Sequence, residues 1–186
     1  MNREDLLIKH LNADFLFSNS QDEKVDFINE ELVELKPYGM SLHNDSTRPF
    51  LILKDDSGQL TLPVGISQID AGVALTQSSV SQTQTTPHVF SEALLKSLDI
   101  QIERCVFVEI KGLHQYVRVY MKGHSRYQSL KFKAEDVMSL CLFLKVPFFA
   151  TLSFIQNSKV MAVEVTLNAK NLMNHPDFAN MKKQCH

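Results

Sequence analysis

A chain of 186 residues, 44% hydrophobic and 22% charged, has material for one globular domain with a sizeable core, which argues against a disordered or coiled-coil protein. A formal net charge of −2 argues against a surface that grips nucleic acid all over, because phosphate binding rests on clustered Lys and Arg releasing counterions. Met1-Asn2-Arg3-Glu4-Asp5 lacks the layout of a secretory leader, no apolar run reaches membrane-spanning length, and Cys105, Cys141 and Cys185 have no close pair, so a cytoplasmic protein with no membrane partner, disulfide framework or zinc site is expected.

In chain order, Leu6, Leu7, Leu11 and Phe15 form the stripe of an amphipathic helix over residues 3–17, an extension that ends in a polar break at 18–24. Leu32, Val33 and Leu35 alternate as a first strand, with Pro37 and Gly39 marking a bend or bulge. Phe50-Leu51-Ile52-Leu53 and Leu60 to Val64 flank Asp55-Asp56-Ser57-Gly58, a hairpin whose acidic turn lacks the spacing of a calcium loop. Ile66 to Leu75 reads as helix, and the Ser, Gln and Thr of 76–86 as an exposed loop. Pro87 opens a second helix, whose apolar face is Val89, Leu94, Leu95 and Leu98.

Ile102 to Ile110, Tyr116 to Met121 and Leu130 to Lys133 alternate as strands, with Gly112 and Gly123 at the turns. Glu135 to Phe143 is a helix, Val146 to Ala150 a short strand, and Val160 to Leu167 a late strand before a polar tail. Strands, hairpins and helices in this mixed order predict an α+β domain with a mixed or antiparallel sheet and packed helices. The implied organisation is a helical extension over 1–30, a domain over 31–155, and a C-terminal strand and tail over 156–186.

No acidic residue falls between Glu109 and Glu135, whereas Lys111, Arg118, Lys122, Arg126, Lys131 and Lys133 do. Tyr116, Arg118, Tyr120 and Lys122 share one strand parity and therefore one sheet face. Aromatic rings that stack bases, beside cations that neutralise phosphates, are the ingredients of a single-strand binding surface, and Arg126 and Lys131 extend the set. A solvated face opposite Val117, Val119, Leu130 and Phe132 has the same pattern.

Three blocks from the same stretch carry a resemblance: Leu62-Pro63-Val64-Gly65-Ile66-Ser67 with Asp70-Ala71, then Thr86-Pro87-His88, then Leu130 to Asp136 followed by an apolar helix and a Pro-containing strand. From about 31 to 155 the chain resembles the bifunctional nuclease domain family. Ser67 stands where that pattern has Gly. His88 stands on its His, with Val89 in place of an Asp and Gln84 in place of an Arg. Lys131 replaces the first Asp of the third block, Lys133 its Arg, Ala134 its Pro and Glu135 its Ser, while Asp136 keeps its last Asp.

The resemblance implies hydrolysis of phosphodiesters in DNA or RNA, and a homo-oligomer. That chemistry needs an activated water, neutralised phosphoryl oxygens and often carboxylates holding a divalent metal such as magnesium or manganese. His88 is the expected acid or base, Asp136 with Glu135 or Asp70 the expected metal or water ligands, and Lys133 the cation that offsets phosphate charge. The same residues suit plainer roles: a His after a helix-opening Pro packs or caps, and Glu135 and Asp136 complement a helix dipole in a first turn. Loss of two carboxylates of the pattern, at Val89 and Lys131, leaves a non-catalytic oligomeric interaction or regulatory module as the alternative.

Overall fold

Period-two alternation builds the strands, and their pairing follows it. In the computed structural model, which describes residues 31–41, 48–78 and 86–160, β1 (Leu32–Ser41), β2 (Phe50–Lys54) and β3 (Thr61–Gly65) form an antiparallel meander. A second one is formed by β4 (Gln101–Lys111), β5 (His114–Lys122) and β6 (Ser129–Lys133). β7 (Phe148–Thr151) joins them, antiparallel to β1 and parallel to β4, giving one seven-stranded mixed sheet ordered β3-β2-β1-β7-β4-β5-β6. The expected bulge lies between Pro37 and Gly39 and lets one strand serve two neighbours: residues 32–35 pair with β7 and 36–41 with β2.

Helices α1 (Gln68–Ser78) and α3 (Ala134–Phe143) pack on each other, and α3 also packs on β3, β5 and β6. Met138 and Cys141 of α3 join Leu62, Val64, Val117 and Phe148 from the sheet in one buried cluster. A further helical stretch over 152–160 adds Phe154 and Ile155 to it, the Phe154 ring standing 5.4 Å from Phe107. Cys105 and Cys141 are core thiols as expected; hydrogen bonding with Cys141 and burial push the Cys105 thiol up. The sheet curls until Gln115 of β5 reaches β3, where its amide accepts from Gly65 N and donates to Pro63 O at 2.9 Å. This side chain satisfies backbone groups of a strand that ends the ladder.

Several expectations need revision. Helix α2 (Pro87–Ser97) forms after Pro87, but no residue in it is buried, and Val89, Leu94 and Leu98 are exposed instead of facing the core. The sheet's core face is already covered by α1, α3 and 152–160, which leaves α2 at the periphery. Helix α1 runs past Leu75 to Ser78. Val160, the expected start of a late strand, lies in the helical stretch described over 152–160. The N-terminal helix over 3–17, the centre of the expected loop at 79–85, and the tail from 161 with Cys185 lie outside the described residues. No helix among the described residues is long and apolar enough to cross a membrane.

Candidate functional site

The chain leaves β3 through Gly65 and buried Ile66 and enters α1 at Ser67. Ser67 caps the helix, its Oγ accepting from Asp70 N at 3.0 Å and donating to Asp70 Oδ2 at 2.6 Å. The Ser67 hydroxyl therefore anchors a carboxylate. The other oxygen, Asp70 Oδ1, accepts from Ser139 Oγ at 2.9 Å, and Ser139 Oγ lies 3.1 Å from His88 Nε2. A hydroxyl has one proton, and Ser139 gives it to Asp70, so His88 Nε2 carries hydrogen and donates. Nδ1 is then the basic nitrogen, and none of the described residues hydrogen-bonds it.

Each partner arrives from a separate element: Asp70 from the first turn of α1, Ser139 from the middle of α3, His88 from the first turn of α2. Ser139 is only 3% exposed, and it stands between imidazole and carboxylate. In a serine-hydrolase triad the imidazole has that middle place and the hydroxyl is terminal. Ser139 is thus a relay that orients His88, and the group presented outward is the imidazole. Burial pushes the His88 pKa below its ordinary 6.5, and the Asp70 charge pulls it part of the way back. The ring also packs against Phe143, 5.8 Å between centroids.

A second polar network begins one turn earlier on α3. Arg48 forms an ion pair with Glu135 and donates to Leu113 O at 3.1 Å and Gly65 O at 3.3 Å. His114 Nδ1 comes within 2.7 Å of Glu135 Oε1 without the alignment of a hydrogen bond. Glu135 and Ser139 are four residues apart, so the two networks lie along one face of α3.

Of the expected catalytic set, Asp70 and His88 meet through Ser139. Asp136 does not join them: it is exposed and hydrogen-bonds none of the described residues. Lys133 pairs across the ladder with Tyr116, on the face opposite Val117 and the helices. Glu135 has its oxygens on Arg48 and His114, and among the described residues no group of three or more His, Cys, Asp or Glu gathers for a metal ion. These residues therefore do not fit a magnesium or manganese site, and no chemical step is assigned to one.

Across the ladder from the tyrosine and arginine face, Tyr116 stands opposite Lys133, Arg118 opposite Lys131 and Tyr120 opposite Ser129. Its burial differs from the expectation. Arg118 is 1% exposed and donates to Ser129 Oγ at 3.3 Å, next to fully buried Val106 on the same face. The gap in acidic residues along the chain is also closed in space, because β4 lies beside β5. Glu109 takes Lys131 at 2.7 Å, and Glu103 takes Lys122 at 3.1 Å. Arg126 lies over its neighbour Tyr127, 5.1 Å from the ring centroid.

Sequence reasoning missed Ser139, Arg48 and His114. Ser139 had a readable signal, a hydroxyl within the apolar run Val137-Met138-Ser139-Leu140-Cys141. Arg48 had none, since its partners lie 17, 65 and 87 positions away. The chain matches no protein-family model and no curated protein sequence.

Proposed function

We propose that this protein is a bifunctional-nuclease-like phosphodiester hydrolase acting on DNA or RNA, with His88 as its general base. The supporting observation is the chain of contacts from His88 Nε2 through Ser139 Oγ to Asp70. It ties together residues from the separated blocks that carry the resemblance, and it leaves His88 Nδ1 as a lone pair with a fixed direction. In this reading Nδ1 takes a proton from water as the water oxygen bonds to phosphorus. The bond from phosphorus to the ester oxygen breaks, and the imidazolium returns the proton to that oxygen. Asp70, acting through Ser139, stabilises the imidazolium during the step.

Hydrolysis of labelled single-stranded DNA and RNA, with magnesium, manganese or chelator, tests the proposal. Cleavage by the wild type that is lost in His88→Ala and strongly reduced in Asp70→Asn supports it. Absence of cleavage under every condition ends it. Including Asp136→Ala in the series decides whether that exposed carboxylate has any part in the reaction.

A second reading has its own observation: α2 and its C-terminal cap expose Phe90 (71%), Leu94 and Leu98, spaced four apart along one stripe. A short helix with no buried residue gains little from its own fold. On this reading the chain is a non-catalytic homo-oligomer that covers the stripe with another copy. Light scattering on the eluting protein tests it, since a monomer at micromolar concentration rules the oligomer out.

A further inference from the structure

The geometry points to Arg48 as a positioning residue for the His88 site, acting through Gly65 and Glu135. This deepens the hydrolase reading and rests on it for any effect on rate. Arg48 binds the end of β3 at Gly65 O, the β4–β5 turn at Leu113 O, and the first turn of α3 at Glu135. Those anchors bracket the site. Gly65 is two residues before Ser67, which holds Asp70 Oδ2, and Glu135 is one helical turn before Ser139, which holds Oδ1. Arg48 therefore fixes the spacing between the entry to α1 and the start of α3, across which Asp70 and Ser139 must meet. Only the forked guanidinium, with donors in a fixed plane, serves a carboxylate and two carbonyls at once.

The fit of Gly65 is a second observation. A Cβ on Gly65 would lie 2.7 Å from Arg48 Nε and 2.9 Å from Cζ, so the missing side chain lets the guanidinium lie flat against the strand end. Gly65 is buried, and its N–H donates to Gln115 Oε1, 50 positions away in the sequence. Gly65→Ala should thus displace Arg48 without removing any charge. It is a perturbation independent of Arg48 substitution.

The test is nuclear magnetic resonance of the histidine rings in the full chain, comparing wild type, Arg48→Lys, Gly65→Ala and the charge-matched Arg48→Gln/Glu135→Gln, with hydrolysis measured in parallel. Arg48→Lys keeps the charge and loses the fork. It is the mildest change and the one expected to stay folded. In variants that unfold cooperatively like wild type, the His88 titration midpoint should move toward the ordinary imidazole value and the Nε2–H signal should broaden. The kcat should fall roughly 10–100-fold with KM little changed, the scale of a small misplacement of a catalytic group. Folded Arg48→Lys and Gly65→Ala proteins with unchanged His88 spectra overturn the inference. If the wild type hydrolyses nothing, the hydrolase reading fails while the His88 spectra still decide the positioning role.

Discussion

The two polar regions of this molecule are built in opposite ways. On the outer face of the sheet, cations cluster along the sequence, yet in space they have immediate partners: Lys131 has Glu109, Lys122 has Glu103, and Arg118 has Ser129. On the helix side, His88, Asp70 and Ser139 are scattered along the chain and meet at a point, leaving one imidazole nitrogen without a partner among the described residues. The comparison teaches that charge density along a strand is a poor guide to a binding surface, because the neighbouring strand brings its own charges. A reactive group is better recognised by what its partners leave unsatisfied.

The largest effect that would sharpen this contrast is on activity. His88→Ala should lower the rate of phosphodiester hydrolysis by roughly 10²–10⁴-fold, the usual contribution of a general base. Lys131→Ala and Lys122→Ala should leave it within about twofold, because each removes only a cation already paired with a carboxylate on the sheet surface. A comparable loss in the lysine variants would move the site to the outer face.

Stability gives the next contrast, within the outer face itself. Arg118 is buried and hydrogen-bonded, so Arg118→Ala should destabilise the protein by about 2–4 kcal/mol in urea unfolding, through lost packing and an unsatisfied partner. A value near zero would make that position an ordinary surface site.

The pH response sharpens the helix-side region. The folded-state pKa of His88 is held below the 6.5 of a free imidazole, so the folded protein takes up that proton less readily than the unfolded chain does. The stabilisation from neutral His88 is therefore complete above about pH 6.5 and is lost as pH falls through the lower folded value. Unfolding midpoints compared between pH 7.5 and 5 should show a decrease that is smaller in His88→Gln. For the same reason the kcat/KM of the wild type should rise with pH with a midpoint below 6.5. A midpoint at or above 6.5 would contradict the tuned imidazole.

The smallest effect belongs to the Lys131–Glu109 pair. A double-mutant cycle on this half-exposed contact should give a coupling of about 0–1 kcal/mol that weakens as salt is added. A coupling well above that, insensitive to salt, would mean that the outer face is organised as tightly as the helix side.

The sequence by itself determined the α+β class, most strands, the Asp55–Gly58 turn, the bulge at Pro37 and Gly39, and the helix opened by Pro87. These follow from local preferences: period-two alternation, restricted proline and permissive glycine act over a few residues. It also offered Asp70 and His88 as candidates alongside Asp136 and Lys133, with no local signal to tell which of them meet. Tertiary structure alone decided that Ser139 joins Asp70 and His88, that Arg48 clamps Gly65 to Glu135, and that Lys133 stands on the opposite face of the sheet from this site. It also decided that the apolar stripe of α2 is exposed and Arg118 is buried. The reason is physical: which face of an element meets the core, and which distant charge meets a given cation, depend on strand order and on the helices already covering the sheet.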